Sequence, residues 1–218
     1  MLAFLWILQS IMADSPSDSP GLTDKEKEAF PGRVGGGKSN ERLNKQCRDR
    51  MHKSLKSSYV RYMLNAMKEI GCEVKVGRHL VCEPCGDRLL GGFDEDRNQI
   101  VLCENNIYSD DCMTNVLTHE LIHAYDHCRA HVDWKNLDHQ ACSEIRAANL
   151  SGECFFWKEN FARLKFGWKK HQQKCVKERA TQSILCVNNV TEKEARDAVE
   201  KVFDSCFKDT VPFERVPP

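Results

Sequence analysis

The sequence has no excess of charge of either sign. Lysine plus arginine and aspartate plus glutamate each total 32, so the formal net charge at pH 7 is zero. Proteins that bind nucleic acids or anionic membrane surfaces by bulk electrostatics carry a basic excess. The composition therefore gives no indication of direct nucleic-acid binding. The 218 residues suit a single domain that buries a sizeable core.

Long hydrophobic runs are also missing. Residues 1–12, MLAFLWILQSIM, are mostly apolar, but a spanning helix needs roughly 20 such residues. The segment also lacks the basic start and the small-residue cleavage site of a secretory signal. It therefore indicates neither a membrane span nor a signal peptide.

Paired CxxC motifs, which are typical of zinc ribbons, do not occur. Cys82–Cys85 is the single CxxC in the chain, although the chain contains twelve cysteines. An even number of cysteines spread along the sequence favours a domain with several disulfides in an oxidising compartment over free thiols. The spacing does not give the pairing.

Residues 1–40 are expected to form a disordered leader because much of this segment is rich in serine, proline, glycine and charge. Within it, Gly32–Ser39 matches the phosphate-loop pattern GxxxxGK[ST]. That loop works only after a buried strand, and the charged TDKEKEAFP precedes it here, so a flexible linker is the better interpretation. The folded domain is expected at 41–213, with a tail at 214–218.

Hydrophobic periodicity and turn residues predict an α+β, predominantly helical fold with a small sheet. Helices are expected at 41–70, from the N-cap Ser109 to about Ala130, at 139–150, near 154–180 and at 191–207. The first two helices are separated by the alternating segments CEVKV and HLVC, turn residues in GGFDEDRN, and the strand QIVLC at 99–103. Thr191 and Glu194 match the capping box that opens the last helix.

The long helix contains the motif HExxH at His119–His123. Residues four apart lie one turn above each other, so His119 and His123 can bind one Zn²⁺ from the same face. Glu120 lies about 100° around the helix and can take a proton from the water that attacks a peptide carbonyl. The motif predicts a metallopeptidase with one catalytic zinc.

Two further histidines, His127 and His131, continue the same spacing. At 1.5 Å of rise per residue, His127 lies about 12 Å along the axis from His119. Zn–N bonds are about 2 Å long, so one zinc cannot bind both. These two side chains are expected to be solvated or in an outer shell, with a separate weak site as the minor alternative.

The third metal ligand must come from elsewhere in the chain. The extended motif HExxHxxGxxH is excluded because Asp126 and Arg129 occupy its glycine and third histidine positions. A glutamate on a following helix is the other common solution. Glu144 lies on the next predicted helix, whose small residues Ala141, Ala147 and Ala148 allow close approach to the first.

Other candidates for this ligand are His139, Asp126 and Asp133. Asp126 lies three residues after His123, on the same face, and could instead orient a ligand imidazole from the second shell. Arg146 is either a structural salt-bridge partner or a group near the reacting carbonyl, and the sequence leaves both interpretations open.

Four segments resemble one protein family: LGGFD (90–94), QIVLCENNI (99–107), THELIHAYDHCRAHVDW (118–134) and ACSEIRAANLSGEC (141–154). They are similar to the mitochondrial inner-membrane metalloproteases that process and assemble ATP synthase, a family also described in animals as a Ku-binding protein. The resemblance covers roughly residues 45–213. It carries the family's metal and acid/base roles over to His119, Glu120 and His123.

The resemblance implies a protein of the intermembrane space, peripheral on the inner membrane and imported by oxidative folding. It also implies removal of a presequence from a membrane-embedded ATP synthase subunit, together with a chaperone role in assembly. We therefore expect a zincin-like metallopeptidase domain in which QIVLC forms the edge strand that pairs with an extended substrate. The alternatives are an assembly chaperone that needs no cleavage and a nuclear Ku-associated partner in DNA repair.

Overall fold

The computed structural model describes residues 38–86, 89–154 and 168–216. Residues 1–37, and with them most of the predicted leader, lie outside the described residues. In the described part, seven helices and three strands follow one another: α1 Glu41–Ser54, α2 Ser58–Glu69, α3 Val76–His79, β1 Leu80–Glu83, β2 Gly91–Asp94, β3 Gln99–Cys103, α4 Asp110–Arg129, α5 Leu137–Leu150, α6 Trp168–Val187 and α7 Glu192–Lys208. The fold is predominantly helical with one small sheet, as the hydrophobic pattern predicts.

The helix that carries HExxH begins and ends where the sequence indicates. The hydroxyl of Ser109 accepts a hydrogen bond from the backbone N–H of Cys112 and caps α4. Leu121 and Ile122 are fully buried, so the apolar side of the helix packs into the core. The predicted capping box of α7 is also confirmed, since Thr191 and Glu194 exchange both hydrogen bonds.

The prediction of one continuous helix over 41–70 is wrong. The chain leaves helical geometry between α1 and α2, where the Ser57 hydroxyl accepts the Val60 N–H and starts a new helix. A serine side chain competes well for backbone N–H groups at such a position. The segment CEVKV is not a strand either, because the residues before Val76 are irregular and Val76 begins the short α3.

The sheet has the order β1-β3-β2, with β1 parallel and β2 antiparallel to β3. QIVLC is a strand as predicted, but it is the central strand and every residue in it is buried, so the edge-strand prediction is wrong. Its continuous apolar run is typical of a strand covered on both sides. Strands β1 and β2 are the two outer strands of this sheet. The residues GGFD, which the sequence predicts to lie in a turn, form β2, and the turn itself is residues 95–98.

Two hydrophobic clusters pack on opposite sides of α5. The first contains α1, α2, most of the sheet and α4, and Ala147 and Leu150 of α5 face it. The second contains α6 and α7, and Ala141, Ile145 and Ala148 of α5 face it. The small side chains of α5 allow both layers to approach the same helix closely.

Five disulfides link ten of the twelve cysteines, which confirms the prediction of a disulfide-stapled domain. The pairs are Cys47–Cys82, Cys72–Cys128, Cys85–Cys103, Cys142–Cys206 and Cys154–Cys175. The two cysteines of the CxxC therefore take different partners and form no zinc knuckle. Each bridge typically stabilises a small domain by about 2–5 kcal/mol.

A buried ion pair joins α4 to α5. The guanidinium Nε of Arg146 lies 2.9 Å from Asp126 Oδ1, and the two residues are only 1% and 4% exposed. Arg146 also contacts the Asp209 carboxylate at 2.7 Å and donates to the backbone carbonyls of Asp209 and Val211. Arg146 is therefore a structural residue that connects the end of α7 to α4 and α5.

We expect Arg146→Met to lower the free energy of unfolding by about 3 kcal/mol, because it removes the buried partner of the Asp126 carboxylate and leaves only the partly exposed Arg129 as an ionic partner. Chemical denaturation of the oxidised protein measures this change. Arg196→Met is the matched control, since the Arg196 side chain is 58% exposed and pairs with Glu192 on the surface. We expect the control to change stability by less than about 0.5 kcal/mol. Equal effects of the two substitutions would contradict this account of the pair.

Candidate metal centre

Three side chains from two helices converge on one point. On α4, His119 Nε2 lies 3.4 Å from Glu144 Oε2, and His123 Nε2 lies 3.6 Å from Glu144 Oε1. The three ligand atoms all lie within 4.8 Å of one another. Tetrahedral zinc with bonds of about 2.0–2.1 Å places its ligand atoms about 3.4 Å apart, so the spacing fits a single zinc ion.

The unsatisfied polar atoms in this cluster also fit a cation. Among the described residues, Glu144 Oε2 is buried and has no hydrogen-bond partner. Burial of a carboxylate oxygen without a partner is costly. A metal ion between Glu144 and the two Nε2 atoms would remove that cost.

The electrostatic field of the cluster also favours a bound cation. Burial raises the pKa of Glu120 to about 8. Burial also acts to raise the pKa of Glu144, but the imidazoles of His123 and His119 outweigh it and hold this pKa at about 2. For His119, burial acts to lower the pKa, but Glu153 and Glu144 outweigh it and raise this pKa well above its usual value. The ionised carboxylates of Glu144 and Glu153 thus outnumber the single protonated imidazole, that of His119, and a cation would balance the remaining negative charge.

His123 is held in one orientation by a chain of hydrogen bonds. Its Nδ1 lies 2.8 Å from the hydroxyl of Ser143, which donates to Asp126 Oδ2 at 3.1 Å. Because the Ser143 hydrogen points to Asp126, the hydroxyl oxygen accepts from His123 Nδ1–H. The lone pair of Nε2 is therefore free to face Glu144, which is the tautomer that a metal ligand requires.

The other predicted candidates lie outside this group. Asp126 contacts Ser143 and Arg146, which is the outer position that the sequence analysis considered for it. His139 Nδ1 accepts the backbone N–H of Asp133 in the loop before α5. Among the described residues, His119, His123 and Glu144 are the one set with ligand spacing.

The surplus histidines do not reach the centre either. His127 Nδ1 accepts the indole N–H of Trp134 at 3.1 Å, and the Trp134 ring packs edge-on against His123 with centroids 6.0 Å apart. His131 is exposed. The regular spacing of these histidines therefore does not extend the metal site.

The candidate metal centre opens into a cleft of about 560 Å³ between β2 and the C-terminal half of α6. Its lining includes Leu90 and Val187, which are 39% and 66% exposed. The cleft is also lined by three residues that were not predicted as site residues from the sequence: Glu153, Trp134 and Arg179. Glu153 lies in the segment 141–154, which carries part of the family resemblance, but no spacing rule distinguishes it from other acidic residues.

Strand β2 lies very close to α4, the helix that carries both histidines of the candidate metal centre. A Cβ atom on Gly91 would be 2.6 Å from Val116 Cγ1 and 3.3 Å from Glu120 Cγ. A Cβ on the next residue, Gly92, would meet nothing within 4 Å. Gly91 is therefore required for the close approach of β2 to α4 beside Glu120.

Comparison with known proteins gives one consistent family. Residues 45–214 match the Peptidase M76 family. The chain is 54% identical over 176 residues to the Homo sapiens "Mitochondrial inner membrane protease ATP23 homolog", an alignment that covers 80% of this chain and 71% of that relative. It is 42% identical over 185 residues to the Schizosaccharomyces pombe "Mitochondrial inner membrane protease atp23", with 82% and 95% covered.

A third relative, the Danio rerio "Mitochondrial inner membrane protease ATP23 homolog", is 56% identical over 162 residues, which are 74% of this chain and 63% of that protein. No solved structure matches the chain. In the described residues, no helix combines the length and the apolar character that crossing a bilayer requires.

We expect Glu144→Gln to lose stoichiometric zinc, because the amide removes a charged oxygen ligand. Metal analysis after dialysis, with circular dichroism to check the fold, measures this. Glu69→Gln on the exposed end of α2 is the control and should keep one zinc. Full zinc occupancy in Glu144→Gln would rule out Glu144 as the third ligand.

We expect Gly91→Ala to destabilise the protein by about 1–3 kcal/mol, because the added methyl group overlaps Val116. Gly92→Ala is the matched control and should stay within about 0.5 kcal/mol of the wild type. The double substitution Gly91→Ala with Val116→Ala should recover part of the loss, and thermal unfolding of the four proteins tests the whole set.

Proposed function

The chain belongs to the Peptidase M76 family, and on that premise we propose that it is a zinc metalloendopeptidase with a zincin-like active site in residues 41–213. The observation that carries the proposal is the convergence of His119 Nε2, His123 Nε2 and the Glu144 carboxylate at the cleft, with Glu120 beside them. Two imidazoles and one carboxylate are a donor set that catalytic Zn²⁺ sites use, with one position left open.

Zinc bound there supplies a Lewis acid that polarises the peptide carbonyl and acidifies a water molecule. Glu120 then acts as the proton carrier of the reaction. Its carboxylate takes the proton from the attacking water and gives it to the leaving amine as the peptide bond breaks.

The substrate is bound as an extended strand. In the described residues β3 is the one strand that pairs with β2, and Gly91, Gly92 and Phe93 of β2 line the cleft. An added strand would form main-chain hydrogen bonds to β2, which places a peptide bond above the metal centre. The exposed side chains of Leu90 and Val187 support a substrate with apolar residues near the cleavage site.

The proposed location is the intermembrane-space side of the inner mitochondrial membrane, with peripheral attachment. The names of the relatives support the inner membrane. Five disulfides support an oxidising compartment over the matrix. The proposed substrate is the precursor of a membrane-embedded ATP synthase subunit, as the family resemblance implies.

A second role as an assembly chaperone uses the same cleft and β2 edge without cleavage. The observation in its favour is that Leu90 and Val187 are exposed in the cleft lining, because apolar contacts to them would hold a peptide whether or not Glu120 is active. A nuclear role with Ku is the weaker alternative, because it places the ten paired cysteines in a reducing compartment.

We expect Glu120→Gln to keep zinc and the fold but to lose cleavage by about 10²–10⁴-fold, because the amide cannot carry the proton. Purified oxidised protein loaded with zinc, incubated with the subunit precursor, measures the rate, and Glu69→Gln is the control. Wild-type cleavage by Glu120→Gln would contradict the mechanism. Normal ATP synthase assembly in cells that contain only Glu120→Gln would assign assembly to the chaperone role.

A further inference from the structure

The two histidines of the motif are held differently on the side away from the metal position. His123 Nδ1 is fixed by Ser143 at 2.8 Å. His119 Nδ1 is buried, and among the described residues no group is aligned with it well enough to form a hydrogen bond. The acceptor within reach is Glu153, whose Oε1 lies 3.2 Å from His119 Nδ1.

Glu153 lies in the short segment between the end of α5 and the disulfide-bonded Cys154. The chain leaves α5 and turns at Gly152, whose φ of +89° is the left-handed conformation that glycine adopts without strain. The next residue, Cys154, is bonded to Cys175 of α6. The carboxylate is thus fixed between a turn on one side and a covalent anchor on the other.

We propose that Glu153 is a positioning residue of the metal centre. Its carboxylate accepts the Nδ1 proton of His119, and this orients the ring so that Nε2 is directed at the metal position. The Cys154–Cys175 disulfide holds Glu153 at that distance. The proposal rests on the proposed zinc site and adds to it a residue that does not touch the ion.

The chemistry of the pair supports this role. A histidine that binds metal through Nε2 carries its proton on Nδ1, and a carboxylate acceptor there fixes the ring and makes Nε2 a stronger donor. Glu153 is 24% exposed and is not part of the ligand-spaced set. Its position beside the ring, on the side of Nδ1, fits an outer partner and not a fourth ligand.

The test compares zinc affinity in Glu153→Ala, Glu153→Gln and wild type, measured by competition with a chromogenic chelator at fixed pH on the oxidised full chain. We expect Glu153→Ala to bind zinc 10–100-fold more weakly, still at one zinc per chain when saturated. Glu153→Gln keeps an acceptor oxygen and should lose less. Glu69→Ala is the control and should match the wild type.

Several outcomes would overturn the proposal. Unchanged affinity in Glu153→Ala would show that the carboxylate does not orient His119. Failure to reach one zinc at saturation, or a lost oxygen ligand in X-ray absorption spectra of the zinc-loaded protein, would make Glu153 a ligand. A merely structural role would lower the thermal stability of the metal-free and the zinc-bound protein equally, whereas we expect Glu153→Ala to lower that of the zinc-bound protein more. If wild type itself binds no zinc, the proposed function fails first.

A second comparison tests the anchor. We expect the double variant Cys154→Ser with Cys175→Ser to weaken zinc binding, with no further loss when Glu153→Ala is added, because both changes remove the same contact. The control is Cys85→Ser with Cys103→Ser, which opens a bridge of similar span, 18 residues against 21. That control should leave zinc affinity unchanged. Additive losses, or equal losses in the control, would refute the anchoring role.

Discussion

The geometry of the candidate site depends on the buried pair between Asp126 and Arg146. The pair crosses from α4 to α5 and fixes how far one helix is displaced along the other. That displacement decides whether Glu144 faces the two histidines or lies a turn away. The same Asp126 also fixes His123 through Ser143, so one carboxylate sets both the helix register and the tautomer of a candidate ligand.

A buried ion pair is a poor source of stability compared with apolar residues of the same size, but removal of one partner is costly. Here the pair disfavours incorrect arrangements of α4 and α5, since a slip would separate the buried Arg146 from Asp126 and leave Asp126 with Arg129 of its own helix as its ionic partner. The two helices meet mainly through small or aliphatic residues of α5, such as Ala147 and Leu150. Such apolar contacts alone would permit several displacements of one helix along the other. The polar network therefore provides specificity that the apolar contacts lack.

Much of the site was predictable because it depends on local spacing. The i, i+4 histidines, the Ser109 cap and the small residues of α5 are visible in the sequence, and they indicated correctly where α4 and α5 lie and that Glu144 comes close to His119. The order of the strands and the break before Ser58 depend on which segments compete for the core, and no local pattern records that. Glu153 was missed for the same reason, since its distance to His119 arises from a turn and a disulfide.

The disulfides divide into two sets along the chain. Three lie entirely before residue 130 and two entirely after residue 137, so no bridge joins the halves. A polypeptide that emerges from a translocation pore with its N-terminus first can close its first three bridges before any cysteine of the second set arrives. The order of emergence then limits mispairing between the halves. It leaves their final joining to the noncovalent contacts around α5.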